Sequence, residues 1–125
     1  MKTKRKLGIW MDRSIAHLME ISHEPFEVKT IESELETIKD KVAAKKDLTP
    51  SKVKQLQLKY YNNIRKSIQD FYYVVLFGPT DAKRELFDLL AEDESLTKVK
   101  VEIKETDEMN AREKHEFVQK HFSTL

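Results

Sequence analysis

The amino-acid sequence predicts a single α/β domain built on a five-stranded mixed sheet, with the strand arrangement of a ribonuclease H-like fold. Three observations support this prediction. The first third of the chain holds three strand patterns joined by short connections, which is typical of an antiparallel meander. Two further strand patterns alternate with helix patterns, and such βα units form parallel pairs with helices packed on the sheet. The length of 125 residues fits one domain.

The three N-terminal strands are indicated by alternating apolar residues. We expect them over residues 7–12, 15–22 and 26–32, with a tight turn between the first two. Pro25 separates the second strand from the third, because proline cannot donate to a β-ladder.

A long helix and a central strand come next. Thr49-Pro50 provides a hydroxyl cap and a proline at the first helical position. Apolar residues then recur every three or four positions, which predicts an amphipathic helix that ends near Asp70. The run 72–77 is apolar throughout and stops at Gly78-Pro79, so we expect a strand covered on both faces.

The last third of the chain contains two helices and one strand. Thr80 is predicted to cap the first of these helices. Residues 98–104 alternate between apolar and charged side chains, which indicates a strand at the edge of the sheet. Asn110 and Glu113 fit a capping box, and the inner face of the last helix is predicted to hold Ala111, His115, Val118 and Phe122. The right-handed crossover rule places the fourth strand parallel to the first and the fifth outside it.

The composition excludes several classes of function. There is no cysteine, which excludes disulfides, thiolate chemistry and cysteine-ligated zinc. The first apolar run ends at Met11 and is too short for a signal peptide or a membrane span, so we expect a cytoplasmic protein without membrane contact. The net charge of +1 gives no argument for nucleic acid, although its distribution gives a weak one, and no DNA partner is expected. Residues 33–59 nevertheless carry seven lysines against four acids, and residues 92–108 carry seven acids against three lysines.

A strand, a small-residue turn and a helix that opens with a lysine and Glu-Leu follow one another in the segment from Tyr73 to Leu86, YVVLFGPTDAKREL. Together with Tyr61-Asn62 and Ile64-Arg65-Lys66 in the preceding helix, this segment resembles the middle domain of archaeal and eukaryotic class I peptide-release factors and Pelota. The stretch Trp10 to Ala16 and the closing segment from Glu105 resemble small stand-alone bacterial proteins known as translational machinery proteins. The resemblance implies a role in translation, with the ribosome or tRNA as partner.

The stretch between the third strand and the long helix departs from this family. In release factors it carries the Gly-Gly-Gln motif of peptidyl-tRNA hydrolysis. Residues 33–50 of this chain contain neither glycine nor glutamine. The resemblance therefore implies a non-catalytic binding protein, in which residues 33–49 are a charged loop or a surface helix.

Positively charged side chains in this stretch are candidate RNA contacts: Lys39, Lys41, Lys45 and Lys46. Lysines neutralise phosphates, and an exposed tyrosine stacks on bases. Tyr60 belongs to the core stripe of the long helix, so Tyr61 is the tyrosine expected to be free for stacking. A solvated loop explains the same lysines equally well.

A second candidate site lies where the first and fourth strands end. Ligands of open α/β sheets bind beyond the carboxyl ends of the strands, and free N–H groups at a helix N-terminus attract anions. The residues expected there are Asp12, Arg13, Gly78, Thr80, Lys83 and Arg84. The alternative is a tight turn at Gly78 and a simple cap at Thr80, without a ligand. No cofactor is expected, because the glycine spacing of a Walker loop is missing.

Two other functions are compatible with the sequence. A protein-interaction or homo-oligomeric domain would use the strand 98–104 or the last helix as its contact surface. A metal-dependent nuclease would need carboxylates that hold two ions about 4 Å apart. Asp12 is one candidate carboxylate, but Phe77-Gly78-Pro79 stands where its partner is expected, and no histidine pair has metal-ligand spacing.

Overall fold

The strands and helices follow one another along the chain in the order that the sequence predicts. The computed structural model describes residues 5–21, 25–34 and 49–123. Within them, the strands are β1 (Lys6–Met11), β2 (Ile15–Ile21), β3 (Pro25–Glu32), β4 (Tyr73–Gly78) and β5 (Lys100–Glu105). The helices are α1 (Pro50–Ile68), α2 (Ala82–Ala91) and α3 (Ala111–Ser123), with a short 3-10 helix at Glu94–Leu96.

The strand order is β3-β2-β1-β4-β5. β1 pairs antiparallel with β2, and β2 pairs antiparallel with β3. β4 lies parallel to β1, and β5 lies parallel to β4 at the edge. The predicted fold class and strand order are therefore confirmed.

Each face of the sheet carries its own apolar core. On one face α1 and α2 cover β1 and β4, and this cluster includes Leu7, Ile9, Tyr60, Ile64, Leu76 and Leu86. On the other face α3 packs Val118 and Phe122 against Trp10, Met19, Val75 and Phe77. Every residue of β4 is buried, because helices cover it from both sides, as its apolar run predicts.

The helix starts follow the predicted capping chemistry at two of three positions. The hydroxyl of Thr49 accepts a hydrogen bond from the backbone N–H of Lys52 at 3.1 Å. Asn110 and Glu113 exchange two reciprocal bonds at 2.8 and 2.9 Å, which confirms the capping box. The prediction of Thr80 as the cap of α2 is wrong by one residue, because α2 begins at Ala82 with Asp81 at the cap position.

The inner face of α3 is shorter than predicted. Val118 and Phe122 are buried, whereas Ala111 is exposed and His115 is only partly covered. Lys114 also lies over the ring of Trp10, with its Nζ atom 3.6 Å from the ring centroid, so the first turn contacts the sheet through Lys114 rather than Ala111. Ala111 therefore belongs to the outer surface.

Both glycines of the chain serve close packing of the sheet. Gly78 has a φ of 141°, a conformation that residues with a side chain disfavour. A Cβ atom at Gly78 would lie 2.2 Å from the carbonyl oxygen of Met11. A Cβ atom at Gly8 would lie 2.4 Å from Cγ2 of Val118, so α3 rests directly on the backbone of β1.

Replacing Gly78 with alanine should destabilise the protein by about 3 kcal/mol or more, because backbone strain adds to a clash with main-chain atoms. Urea unfolding followed by circular dichroism measures the loss.

The matched control is Gly8→Ala, whose clash is with a side chain. Adding Val118→Ala should relieve that clash, so the double variant should be more stable than the sum of the two single changes indicates. A Gly78→Ala protein as stable as the wild type would contradict the account of this turn.

Candidate functional site at the carboxyl edge of the parallel strands

Asp12 closes the turn that follows β1. Its Oδ1 atom accepts hydrogen bonds from the backbone N–H groups of Ser14, at 2.8 Å, and Ile15, at 2.9 Å. Its carbonyl oxygen accepts a bond from the buried hydroxyl of Tyr60 at 2.9 Å. Asp12 thus shapes the β1–β2 connection and fastens α1 to it, as short polar turn residues commonly do.

Arg13 connects this turn to α2. Its guanidinium donates to both carboxylate oxygens of Glu85, at 3.2 and 3.1 Å, in the two-pronged geometry that favours arginine–carboxylate pairs. The hydroxyl of Tyr61 donates to Oε1 of the same carboxylate at 2.6 Å. Arg13 first, and Tyr61 second, hold the pKa of Glu85 below its usual range. Burial and the bond to Glu85 raise the pKa of Tyr61.

A second cluster connects α2 to the end of β5. The side chain of Lys83 is 0% exposed. Its Nζ atom donates to the carbonyl oxygen of Thr80 at 2.5 Å and lies 3.0 Å from Oε1 of Glu105. Arg84 donates from Nε and Nη2 to Oε2 of Glu105, at 3.0 and 2.7 Å. Lys83, followed by Arg84, lowers the pKa of Glu105.

The structure brings the six predicted residues to one edge of the sheet but pairs their positive charges. Arg13 is held by Glu85, and Lys83 and Arg84 are held by Glu105. Sequence reasoning missed these two carboxylates. An anion at this edge would compete with them for the same cations, so the arrangement favours a structural role, and the anion site stays a prediction.

The remaining members of this site have local structural roles. The hydroxyl of Thr80 accepts a hydrogen bond from the backbone N–H of Ala82 at 3.3 Å. Gly78 pairs with Glu105 across the β4–β5 ladder. The alternative of a tight turn at Gly78 without a ligand therefore accounts for that residue, whereas Thr80 lies one residue before the cap position of α2.

Of the candidate RNA-contact residues, the structure describes Tyr61 and none of the four lysines. Tyr61 is 3% exposed, so the prediction that its ring is free of the core is wrong. It lies beside Tyr60 on a core-facing stripe that is wider than the apolar spacing indicates. Lys39, Lys41, Lys45 and Lys46 lie outside the described residues, as does most of the predicted loop or surface helix over 33–49.

Two findings bear on the other functions considered. In the described part of the chain, no group of three or more histidine, aspartate or glutamate side chains is placed to hold a metal ion. Over residues 5–21, 25–34 and 49–123, no helix is both long enough and apolar enough to cross a membrane.

No family model and no curated protein sequence matches this chain. Solved structures do match it. Pelota from Archaeoglobus fulgidus superposes with a TM-score of 0.64 at 11% identity, over 94% of this chain and 31% of that protein. The archaeal translation termination factor aRF1 gives a TM-score of 0.60 at 11% identity, over 98% of this chain and 35% of its own.

Dom34 from S. cerevisiae gives a TM-score of 0.52 at 16% identity, over 95% of this chain and 36% of that protein. The chain thus spans about a third of each of these proteins. At such identities the likeness shows the fold alone, and at that level the resemblance to release factors and Pelota is confirmed. The resemblance to the small bacterial proteins stays a prediction.

Replacing Glu105 with glutamine should lower the melting temperature, because the buried ammonium group of Lys83 would lose its counter-charge. Adding Lys83→Met should recover part of the loss, since the double variant buries no unpaired charge. Thermal unfolding followed by circular dichroism measures both effects.

Glu108→Gln changes an exposed acid outside the cluster and should alter the stability by no more than about 0.5 kcal/mol. Equal melting temperatures for Glu105→Gln and Glu108→Gln would show that the pairing of Glu105 with Lys83 and Arg84 does not stabilise the protein.

The stability that Glu85 provides should depend on pH. Its pKa in the folded protein lies below the ordinary value of 4.5, so this stability is present above that pH and is lost as the pH falls through the folded value. Glu85→Gln should therefore be less stable than the wild type at neutral pH, with a difference that shrinks in acid. Urea unfolding across that pH range is the measurement, and a difference independent of pH would argue against the Arg13–Glu85 pair.

Proposed function

We propose that this protein is a non-catalytic binding protein associated with translation, which contacts the ribosome or tRNA. The observation that carries the proposal is the superposition of nearly the whole chain on translation proteins. One of them is a translation termination factor, aRF1. Another, Dom34, is a translation termination-like factor involved in RNA quality control pathways.

The non-catalytic part of the proposal rests on the glycines. A Gly-Gly-Gln motif needs two adjacent glycines, and the two in this chain are Gly8 and Gly78. Both are committed to close contacts in the sheet. Peptidyl-tRNA hydrolysis by the release-factor mechanism therefore has no residues to support it.

The binding part of the proposal rests on charge. The segment 33–59 carries three more basic than acidic residues. Lys52 and Lys54 are exposed at the start of α1, in the described part of this segment. Lysines at such positions neutralise phosphates of RNA and make the binding sensitive to salt.

Co-sedimentation with ribosomes across a salt series tests the proposal. The wild type should pellet with ribosomes at low salt and be released as salt rises, with each phosphate contact adding roughly 0.7–0.9 to the log–log slope. Neutralising Lys39, Lys41, Lys45 and Lys46 to glutamine tests the predicted loop contacts. The matched control neutralises Lys98, Lys104, Arg112 and Lys120, and it should pellet as the wild type does.

A protein that neither pellets with ribosomes nor binds tRNA at any salt concentration would overturn the proposal. A peptidyl-tRNA hydrolysis assay tests the other half. Release of the peptide above the background rate would show that the protein is an enzyme after all.

A protein-interaction or homo-oligomeric domain is a second candidate, favoured by the exposed edge of β5. The backbone N–H of Lys100 donates to Tyr72, toward β4, so Val101 and Ile103 point their backbone groups away from the sheet. An apolar groove that includes Phe87, Leu90 and Val101 lies beside this edge. A purely monomeric mass by light scattering, with no partner strand bound, would remove this candidate.

A further inference from the structure

The charge of α1 distinguishes it from the other helices. From Pro50 to Ile68 it carries five basic residues and no acidic one: Lys52, Lys54, Lys59, Arg65 and Lys66. α2 and α3 mix both signs, and α3 includes the i,i+4 pair of Arg112 and Glu116. Mixed signs are usual on a solvated helix, because opposite charges one turn apart stabilise it. Solvation alone therefore does not account for the composition of α1.

Three of these lysines form a row. Lys52, Lys59 and Lys66 are exposed and are separated by seven residues, which is close to two helical turns. Their Cα atoms are spaced by about 10.5 Å along the axis, at about 1.5 Å per residue. The row lies about 120° around the helix from the buried stripe of Tyr60 and Ile64. It therefore occupies an exposed flank of α1, where Lys59 meets Glu34 just after β3.

The described partners leave this row available to a ligand. Nη1 of Arg65 lies 2.6 Å from Oδ2 of Asp93, so Arg65 is already paired and is not part of the proposed binding surface. Lys59 pairs with Glu34, but both side chains are at least half exposed, at 60% and 50%. Exposed ion pairs of this kind contribute little, so a phosphate can displace the carboxylate.

We infer that the row of Lys52, Lys59 and Lys66 on α1 binds the phosphate backbone of structured RNA. This inference rests on the proposed function and deepens it by naming the surface. Lysine is a point-charge ligand for phosphate, and evenly spaced point charges suit a repeating polyanion.

An acidic protein fits this surface less well than RNA does. Protein interfaces are enriched in aromatic and arginine anchors and depleted in lysine. On the outer face of α1 the large exposed apolar side chain is Leu58, 41% exposed, and no aromatic residue of the described helix joins it there.

The test compares Lys52→Gln/Lys59→Gln/Lys66→Gln with the control Lys98→Gln/Lys104→Gln/Lys120→Gln, which removes the same charge from the other half of the chain. Glutamine preserves the helix propensity of lysine. Binding of fluorescent tRNA is followed by anisotropy over a salt series. The row variant should bind about tenfold or more weakly, with a salt slope reduced by roughly two to three, and the control should bind as the wild type does.

Glu34→Gln should change the affinity for tRNA in the opposite direction to the row variant. Removing the carboxylate that competes for Lys59 should tighten tRNA binding by about two- to fivefold. The same substitution in the row variant should have no effect on binding, because Lys59 is absent there. This double change separates the local competition from a general change in net charge.

Each outcome decides a distinct point. If the wild type binds tRNA and the row variant matches the control, the assignment of this surface is overturned while the proposed function stands. If the wild type binds neither tRNA nor ribosomes, the proposed function itself fails. If the row variant binds tRNA and protein-free ribosomal RNA as the control does but loses binding to ribosomes, the row contacts ribosomal protein, and the assignment to RNA is overturned.

Discussion

The contact between Gly78 and the carbonyl oxygen of Met11 sets how closely β4 approaches the end of β1. Because the two strands run parallel and end together, the turns that follow them meet at one edge of the sheet. α2 begins at this edge, and β5 ends beside it, where Glu105 pairs with Gly78. The charged side chains of three separate segments are therefore brought together by a contact that contains no charge.

Burial distinguishes Lys83 from the lysines on α1. Removing the ammonium group of Lys83 from water is costly, so the edge of the sheet needs Glu105 as a counter-charge. Lys52, Lys59 and Lys66 on α1 are exposed and stay hydrated, so an exposed ion pair such as that of Lys59 with Glu34 contributes little to the stability. The charge of Lys83 consequently needs its partner within the fold, whereas Lys52, Lys59 and Lys66 are the charges that we propose bind RNA.

The strand order could be predicted from the sequence, because periodicity identifies the strands and the crossover rule restricts their arrangement. The pairing of Arg13 with Glu85 could not, since 72 residues separate them and the contact depends on how α2 is set against the turn. The prediction that Tyr61 is free for stacking is wrong for a related reason. Apolar spacing locates the centre of a buried stripe but not its width, and Tyr61 lies at its margin, where the bond to Glu85 secures it.

The position of Glu34 connects the two sets of candidate RNA contacts. Its carboxylate pairs with Lys59, so the residue that follows β3 and Ser33 lies against the middle of α1. In release factors the next residues carry the catalytic motif, whereas in this chain they carry lysines. A polyanion that displaces Glu34 from Lys59 would arrive where that stretch begins. The lysines there and the missing Gly-Gly-Gln motif are both consistent with the non-catalytic RNA-binding role that we propose.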